Sequence, residues 1–167
     1  MKGMISQSNF FPWRGYFASL RIVGCMVFYD SQQFTRRDWR NRNILYRNSK
    51  PFWLSLPVST KGKYLTPINQ IRVVDSSSIE GARQKFCDAY RDFSSGIGFQ
   101  FAENLIAECK RFDFLSEINQ YTTNQVSRFL DIQCKFLTDT TLSLPRDRNQ
   151  KLIEVCNAYG INRYYSG

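Results

Sequence analysis

The chain of 167 residues contains no histidine, and that single absence removes Ser-His-Asp and Cys-His relays, histidine general bases and histidine-ligated zinc. Any proton transfer falls to Asp, Glu, Tyr, Lys, Cys or the substrate. Cysteine is sparse and odd in number: Cys25, Cys87, Cys109, Cys134 and Cys156 lie far apart with no C-x-x-C pair. Neither a zinc site nor a secreted disulfide framework is indicated, and these residues read as small buried apolar groups. Acids are also short, 14 against 23 Lys plus Arg, which leaves a net charge of +9. Such an excess favours nucleic acid, nucleotides, sugar phosphates or an anionic membrane face as partners. No run approaches the roughly 20 apolar residues of a membrane span, and the opening M-K-G-M-I-S-Q-S-N lacks a signal-peptide core. The expected location is cytoplasmic.

What the chain has in abundance is a grip for anions. From Phe34 to Tyr46 it reads F-T-R-R-D-W-R-N-R-N-I-L-Y, gathering Arg36, Arg37, Arg40 and Arg42 around Trp39, with amides at Asn41 and Asn43 and a lone acid, Asp38. Guanidinium forks match pairs of phosphate or carboxylate oxygens, and an indole face suits a ring. A solvated charged strand around one buried Trp is the alternative reading.

The length suits one domain, residues 1–167, burying about 70 % of the surface of its unfolded chain. Its periods predict an α/β fold. Met4 to Ser6 is a short strand, Trp13 to Val23 a helix starting after Pro12, and Cys25 to Tyr29 an apolar run of the kind found in strands covered on both faces. Together they make a βαβ unit with parallel strands. Arg42 to Tyr46 and Phe52 to Val58 predict a hairpin, and Ile71 to Val74 a further short strand. Helices follow from Ser78, capped within Ser76 to Ser78, then over Gln100 to Arg111 and Phe114 to Leu130. Cys134 to Leu137 reads as a strand, Asp147 to Tyr159 as a helix closed by Gly160, and Arg163 to Tyr165 as a last strand. The whole is a Rossmann-like open, mainly parallel sheet flanked by helices, with a β-hairpin insertion after the second strand and a helical middle section.

Open parallel sheets bind ligands beyond the carboxyl ends of their strands. Gln7, Asn9 and Asp30 fall at that rim, and the arginine-rich segment begins just after it. A parallel last strand brings Ser166 and Gly167 there too, where a glycine lets backbone amides approach a phosphate. A strand ending in Y-Y-S-G ordinarily feeds another loop and helix, so an apparently truncated C-terminus is expected.

Four segments carry a family resemblance: I-S-Q-S-N-F-F-P-W-R-G-Y-F (Ile5 to Phe17), Y-D-S-Q-Q-F-T-R-R-D-W-R-N-R-N (Tyr29 to Asn43), W-L-S-L-P-V (Trp53 to Val58) and I-E-V-C-N-A-Y-G-I-N-R-Y-Y-S-G (Ile153 to Gly167). In this order they resemble signatures of the WbqC-like family, whose patterns Q-P-N-Y-x-P-W-x-G-Y-F and D-D-V-Q-[FY]-x-[KR]-x-x-W-x-N-R-N are matched at Gln7, Asn9, Pro12, Gly15, Tyr16, Asp30, Gln33, Trp39, Asn41, Arg42 and Asn43. Ser8 stands for the family's Pro, and Ser31-Gln32 for Asp-Val, so one strand-end carboxylate is missing.

The resemblance implies a role in bacterial surface polysaccharide (lipopolysaccharide, O-antigen) biosynthesis, as a glycyl or other acyl transferase acting on an amino sugar of a nucleotide-linked donor. A sugar amine is itself a nucleophile, so orientation, anion stabilisation and a modest base suffice and histidine is dispensable. Asp30 is then the candidate catalytic base or amine anchor, with Arg37, Arg40 and Arg42 on the diphosphate and Trp39 against a ring. Trp13-Arg14-Gly15-Tyr16 is similar in position to the His-x-Gly-His turn of nucleotidyl-transferring α/β enzymes, which adds Gly15, Tyr16 and a nucleotide cofactor such as ATP to the expectation. Packing of aromatic residues around the helix start is the competing reading. A rival from another class is a basic, non-enzymatic nucleic-acid binder or scaffold, given arginines interleaved with Trp and Tyr. Against it, the arginines form one cluster rather than a stripe.

Overall fold

The computed structural model describes residues 1–60 and 65–166. In chain order its elements are β1 (Lys2–Ser6), α1 (Arg14–Leu20), β2 (Cys25–Phe28), β3 (Arg42–Arg47), β4 (Lys50–Ser55), α2 (Ser76–Ala89), α3 (Ile97–Glu108), α4 (Leu115–Phe129), β5 (Lys135–Thr138), α5 (Arg148–Ala158) and β6 (Arg163–Ser166). Four strands make one sheet in the order β5-β2-β1-β6, and every neighbouring pair is parallel. The expected βαβ start is present, with Met4 opposite Met26 and Ile5 opposite Val27.

The period of two along these strands sorts their side chains onto two faces. Met4, Met26 and Phe28 pack against Tyr16, Phe17 and Leu20 of α1, with Ile132 after α4. Ile5, Cys25 and Val27 pack on the opposite face with Val155 of α5 and with Ile161. Central strands covered on both faces have no polar side, which is why β2 appears in the sequence as an unbroken apolar run. The crossover from β1 to β2 thus lies on one face, and that from β5 to β6 on the other.

The hairpin β3–β4 is separate from this sheet. Its tip, Asn48 and Ser49, has φ of 49° and 61°, the left-handed pair of a two-residue turn whose twist matches the flanking strands. Leu54 and Leu56 bury against Ile79 and Ala82 of α2, Ile106 of α3 and Ile118 of α4, so the middle helices form a second core that supports the hairpin.

Several local expectations are corrected. Ile71 to Val74 forms no strand but two isolated bridges, Val58 with Val73 and Arg72 with Phe114. The cap of α2 is Asp75, whose carboxylate accepts from Ser78 N at 2.9 Å, because a carboxylate meets the orphan amides of a first turn better than a serine already inside the helix. Helix α3 begins earlier than expected and its last turn, Cys109–Arg111, tightens to a 3-10 helix. Gly160 closes α5 at φ 64° as expected. No helix among the described residues is long and apolar enough to cross a membrane.

Candidate ligand-binding crevice

Beyond the carboxyl ends of β1, β2 and β6 lies a crevice of about 440 Å³, lined among others by Ser6, Gln7, Gln32, Arg40, Arg148, Lys151 and Ser166. Its position follows from the topology: α1 and α5 leave the sheet for opposite faces and open the rim between them. Three cations from two distant segments meet there. Arg40 comes from the loop before β3, and Arg148 and Lys151 from the first turns of α5, where the helix end itself favours anions.

Arg40 is held firmly. Its Nη1 donates to Gln7 O at 3.2 Å and to Asn9 Oδ1, its Nη2 is 3.5 Å from Asp38 Oδ2, and its own carbonyl accepts from Asn119 Nδ2 at 2.9 Å. Burial lowers its pKa, opposed by Asp38 and Asp30, yet a guanidinium stays charged under such shifts. Nε is buried with no acceptor among the described residues.

Asp30 sits under this rim with no exposed surface. Oδ1 accepts from Ser8 N at 2.8 Å and Oδ2 from Gln120 Nε2 at 2.8 Å. Burial raises its pKa; the bonds from Ser8 and Gln120 oppose the shift and the neighbouring Asp139 adds to it. Asp139, which follows β5, is a second carboxylate at the rim and is equally buried. It accepts from Ser31 N at 3.0 Å and from Ser31 Oγ. Gln32 Nε2 in turn donates to Ser31 Oγ at 2.6 Å, and Lys151 Nζ to Gln32 Oε1 at 3.1 Å. The residues standing where the family pattern has Asp-Val therefore link a buried acid to a cation of the crevice.

The other residues expected at the site divide. Gln7, Arg40 and Ser166 line the crevice, Asn9 holds Arg40, and Gln33 accepts from Gln7 Nε2 through its carbonyl at 2.9 Å. Arg37 instead borders a hollow of about 240 Å³ with Arg36 and Asn41. Arg42 stacks over the Trp53 ring at 4.1 Å and donates to Arg37 O. Trp39 leans on Trp53, ring centres 5.5 Å apart, away from the crevice lining. Asn41 ties the chain to Leu56 O at 2.9 Å. Asn43 donates to Phe11 O. Gly15 is covered by the Trp13 indole, which an added Cβ would meet at 1.9 Å. Tyr16 is buried in the core under α1, its pKa raised by that burial and then by Asp30. Gly167 lies outside the described residues.

Asn43 has a measurable structural task. Phe11 has φ 47° immediately before Pro12, a position that a side-chain clash pushes toward extended backbone. The bond from Asn43 secures that conformation and so the approach to α1. Asn43→Ala is expected to cost about 1–2 kcal/mol, read as a lower urea midpoint at unchanged slope.

Residues invisible to sequence reasoning complete the site: Asn119 and Gln120 of α4, Asp139, Arg148 and Lys151. One signal existed for α4, whose Ser116, Asn119, Thr122, Thr123 and Ser127 are all buried. Polar residues recurring at helical spacing on one face indicate a face packed against polar backbone rather than solvent.

The arrangement defines an α/β protein with a cationic crevice at the carboxyl rim of a parallel sheet. Comparison with known proteins places it further: the profile of the WbqC-like protein family matches residues 7–167, and the chain belongs to that family. It is similar to the uncharacterized protein Rv1507c of Mycobacterium tuberculosis, with 27% identity over 169 residues, covering 99% of this chain and 72% of the relative. No solved structure matches the chain.

Proposed function

We propose that the crevice binds a nucleotide-linked amino sugar through its phosphates and that the protein acts in bacterial polysaccharide (O-antigen) biosynthesis, transferring a glycyl or related acyl group to the sugar amine. The observation that carries this reading is the meeting of Arg40, Arg148 and Lys151 in one crevice with the Gln7 amide beside them. Three cations in a lining that contains no carboxylate match a diphosphate, and a volume of about 440 Å³ lies within the range of small-molecule sites.

In the transfer, the amine nitrogen attacks the acyl carbonyl, a C–N bond forms, the bond from the acyl carbon to its carrier breaks with its electron pair leaving on the carrier, and the proton lost by the nitrogen goes to that departing carrier. Orientation supplies most of what this needs. Asp30, sealed beneath Ser8 and Gln120, is assigned the part of a positioning residue: it fixes the Ser8 amide and with it Gln7. Ser166 borders the same rim, where its hydroxyl can meet a sugar or phosphate oxygen.

Thermal denaturation with added nucleotide-linked amino sugars and with ATP tests the reading. A ligand at about 100 times its Kd adds about 2.7 kcal/mol, a rise of roughly 5–10 °C at this chain length. A rise with the nucleotide sugar and none with the free amino sugar is expected; no rise with any nucleotide sugar contradicts it.

A further inference from the structure

A second groove lies apart from the rim, between the tip of the β3–β4 hairpin and α2. It measures about 640 Å³ and is lined by Arg47, Lys50, Phe52, Trp53, Lys85 and Asp88, among others. The fold builds it deliberately from both sides. The left-handed pair Asn48 and Ser49 sets Arg47 directly opposite Lys50, and the Tyr46 amide donates to Tyr90 Oη just beyond α2 at 3.3 Å, which holds the hairpin over the helix that supplies Lys85.

Its charges are unbalanced. Asp88 is engaged by Arg91 at 2.9 Å, whereas Arg47, Lys50 and Lys85 make no ion pair among the described residues. Three like charges around an apolar floor repel one another until an anion joins them. Phe52, half-buried and on the same strand face as Lys50, supplies an aromatic wall, while the Trp53 indole, next along β4, turns to the other face, where the Arg42 guanidinium stacks 4.1 Å from its centroid. An occupant must therefore combine negative charge with a flat ring.

We propose that this groove is a binding site for a nucleoside polyphosphate, its base against Phe52 and its phosphates among Arg47, Lys50 and Lys85. The inference stands on the groove alone and is independent of the ligand assigned to the rim. The gathering of the cations in one place favours a mononucleotide over a strand, whose backbone needs a continued basic track.

The test titrates ADP into the full chain carrying Lys151→Glu, which disables the rim crevice, and follows tryptophan emission. ADP is expected to quench it, because Trp53 lines the groove. Adenosine and inorganic pyrophosphate, each holding half of the chemistry, are expected to bind about tenfold or more weakly. Adding Lys50→Glu or Lys85→Glu, both exposed positions away from the core, is expected to lower ADP affinity by about tenfold or more, with far-ultraviolet circular dichroism unchanged. ADP binding unaffected by both charge reversals overturns the proposal. So does the absence of ADP binding alongside steeply salt-dependent binding of an oligouridylate, which transfers the surface to single-stranded nucleic acid. Loss of nucleotide-sugar binding in the Lys151→Glu chain with ADP quenching retained separates the two sites.

Discussion

Asp30→Ala is expected to lower stability by about 3 kcal/mol, because it leaves the buried Ser8 amide and Gln120 Nε2 without an acceptor. At this chain length that is a fall in Tm of roughly 6–12 °C. Asp30→Asn is expected to stay within about 1 kcal/mol of the parent, since the amide oxygen still accepts from Ser8 and Gln120 can turn its own amide to meet the new donor. The two variants also differ from the parent in their response to pH. Burial raises the folded-state pKa of Asp30, so the folded protein binds this proton more tightly than the unfolded chain. The stabilisation is fully present below the unfolded carboxylate value, about 3.9, and is lost as pH rises through the higher folded value. Asp139, raised first by its own burial, shifts in the same direction. Urea midpoints from about pH 4 upward should therefore show Asp30→Asn gaining on the parent with rising pH; a difference that stays constant, or moves in the parent's favour, contradicts the account.

Arg40→Ala carries the second large effect, and it strikes fold and ligand together. Removal frees Gln7 O and Asn9 Oδ1 of their shared donor and takes one cation from the crevice. A charge-assisted bond contributes about 1.5–3 kcal/mol, so affinity for a nucleotide-linked amino sugar should fall about tenfold to a hundredfold. Arg40→Lys is expected to rescue little of it, because an ammonium on a flexible stem cannot meet the Gln7 and Asn9 acceptors as a fixed fork does. Calorimetric titration of both variants checks this; full rescue by lysine would assign Arg40 the role of a point charge only.

The βαβ start, the parallel pairing of β1 with β2 and the nearness of Gln7, Asn9 and Asp30 could all be read from local periodicity, because each depends on residues close in sequence. The arginine-rich window was less legible. It promised one anion site, but a loop followed by a strand sends alternate side chains different ways, so Arg40 reaches the rim while Arg42 covers Trp53 and Asn41 and Asn43 secure backbone carbonyls. The missing half of the crevice was hidden for the opposite reason. Arg148 and Lys151 arrive on a helix that crosses the sheet to reach β6, and in the sequence they look like any solvated first turn. Asp139 was equally hidden. Its partner Ser31 read as the loss of an acid, whereas the carboxylate at that point of the rim comes from the strand paired beside it.

Everything functional depends on the rim holding a negatively charged small molecule between Arg40 and α5. Isothermal titration of a nucleotide-linked amino sugar into the parent chain and into Lys151→Glu is the most direct test. Binding at the rim that is weakened about tenfold or more by the charge reversal and still present in Lys85→Glu is the predicted result. Equal affinity in the parent and Lys151→Glu, or no heat in either, would contradict it.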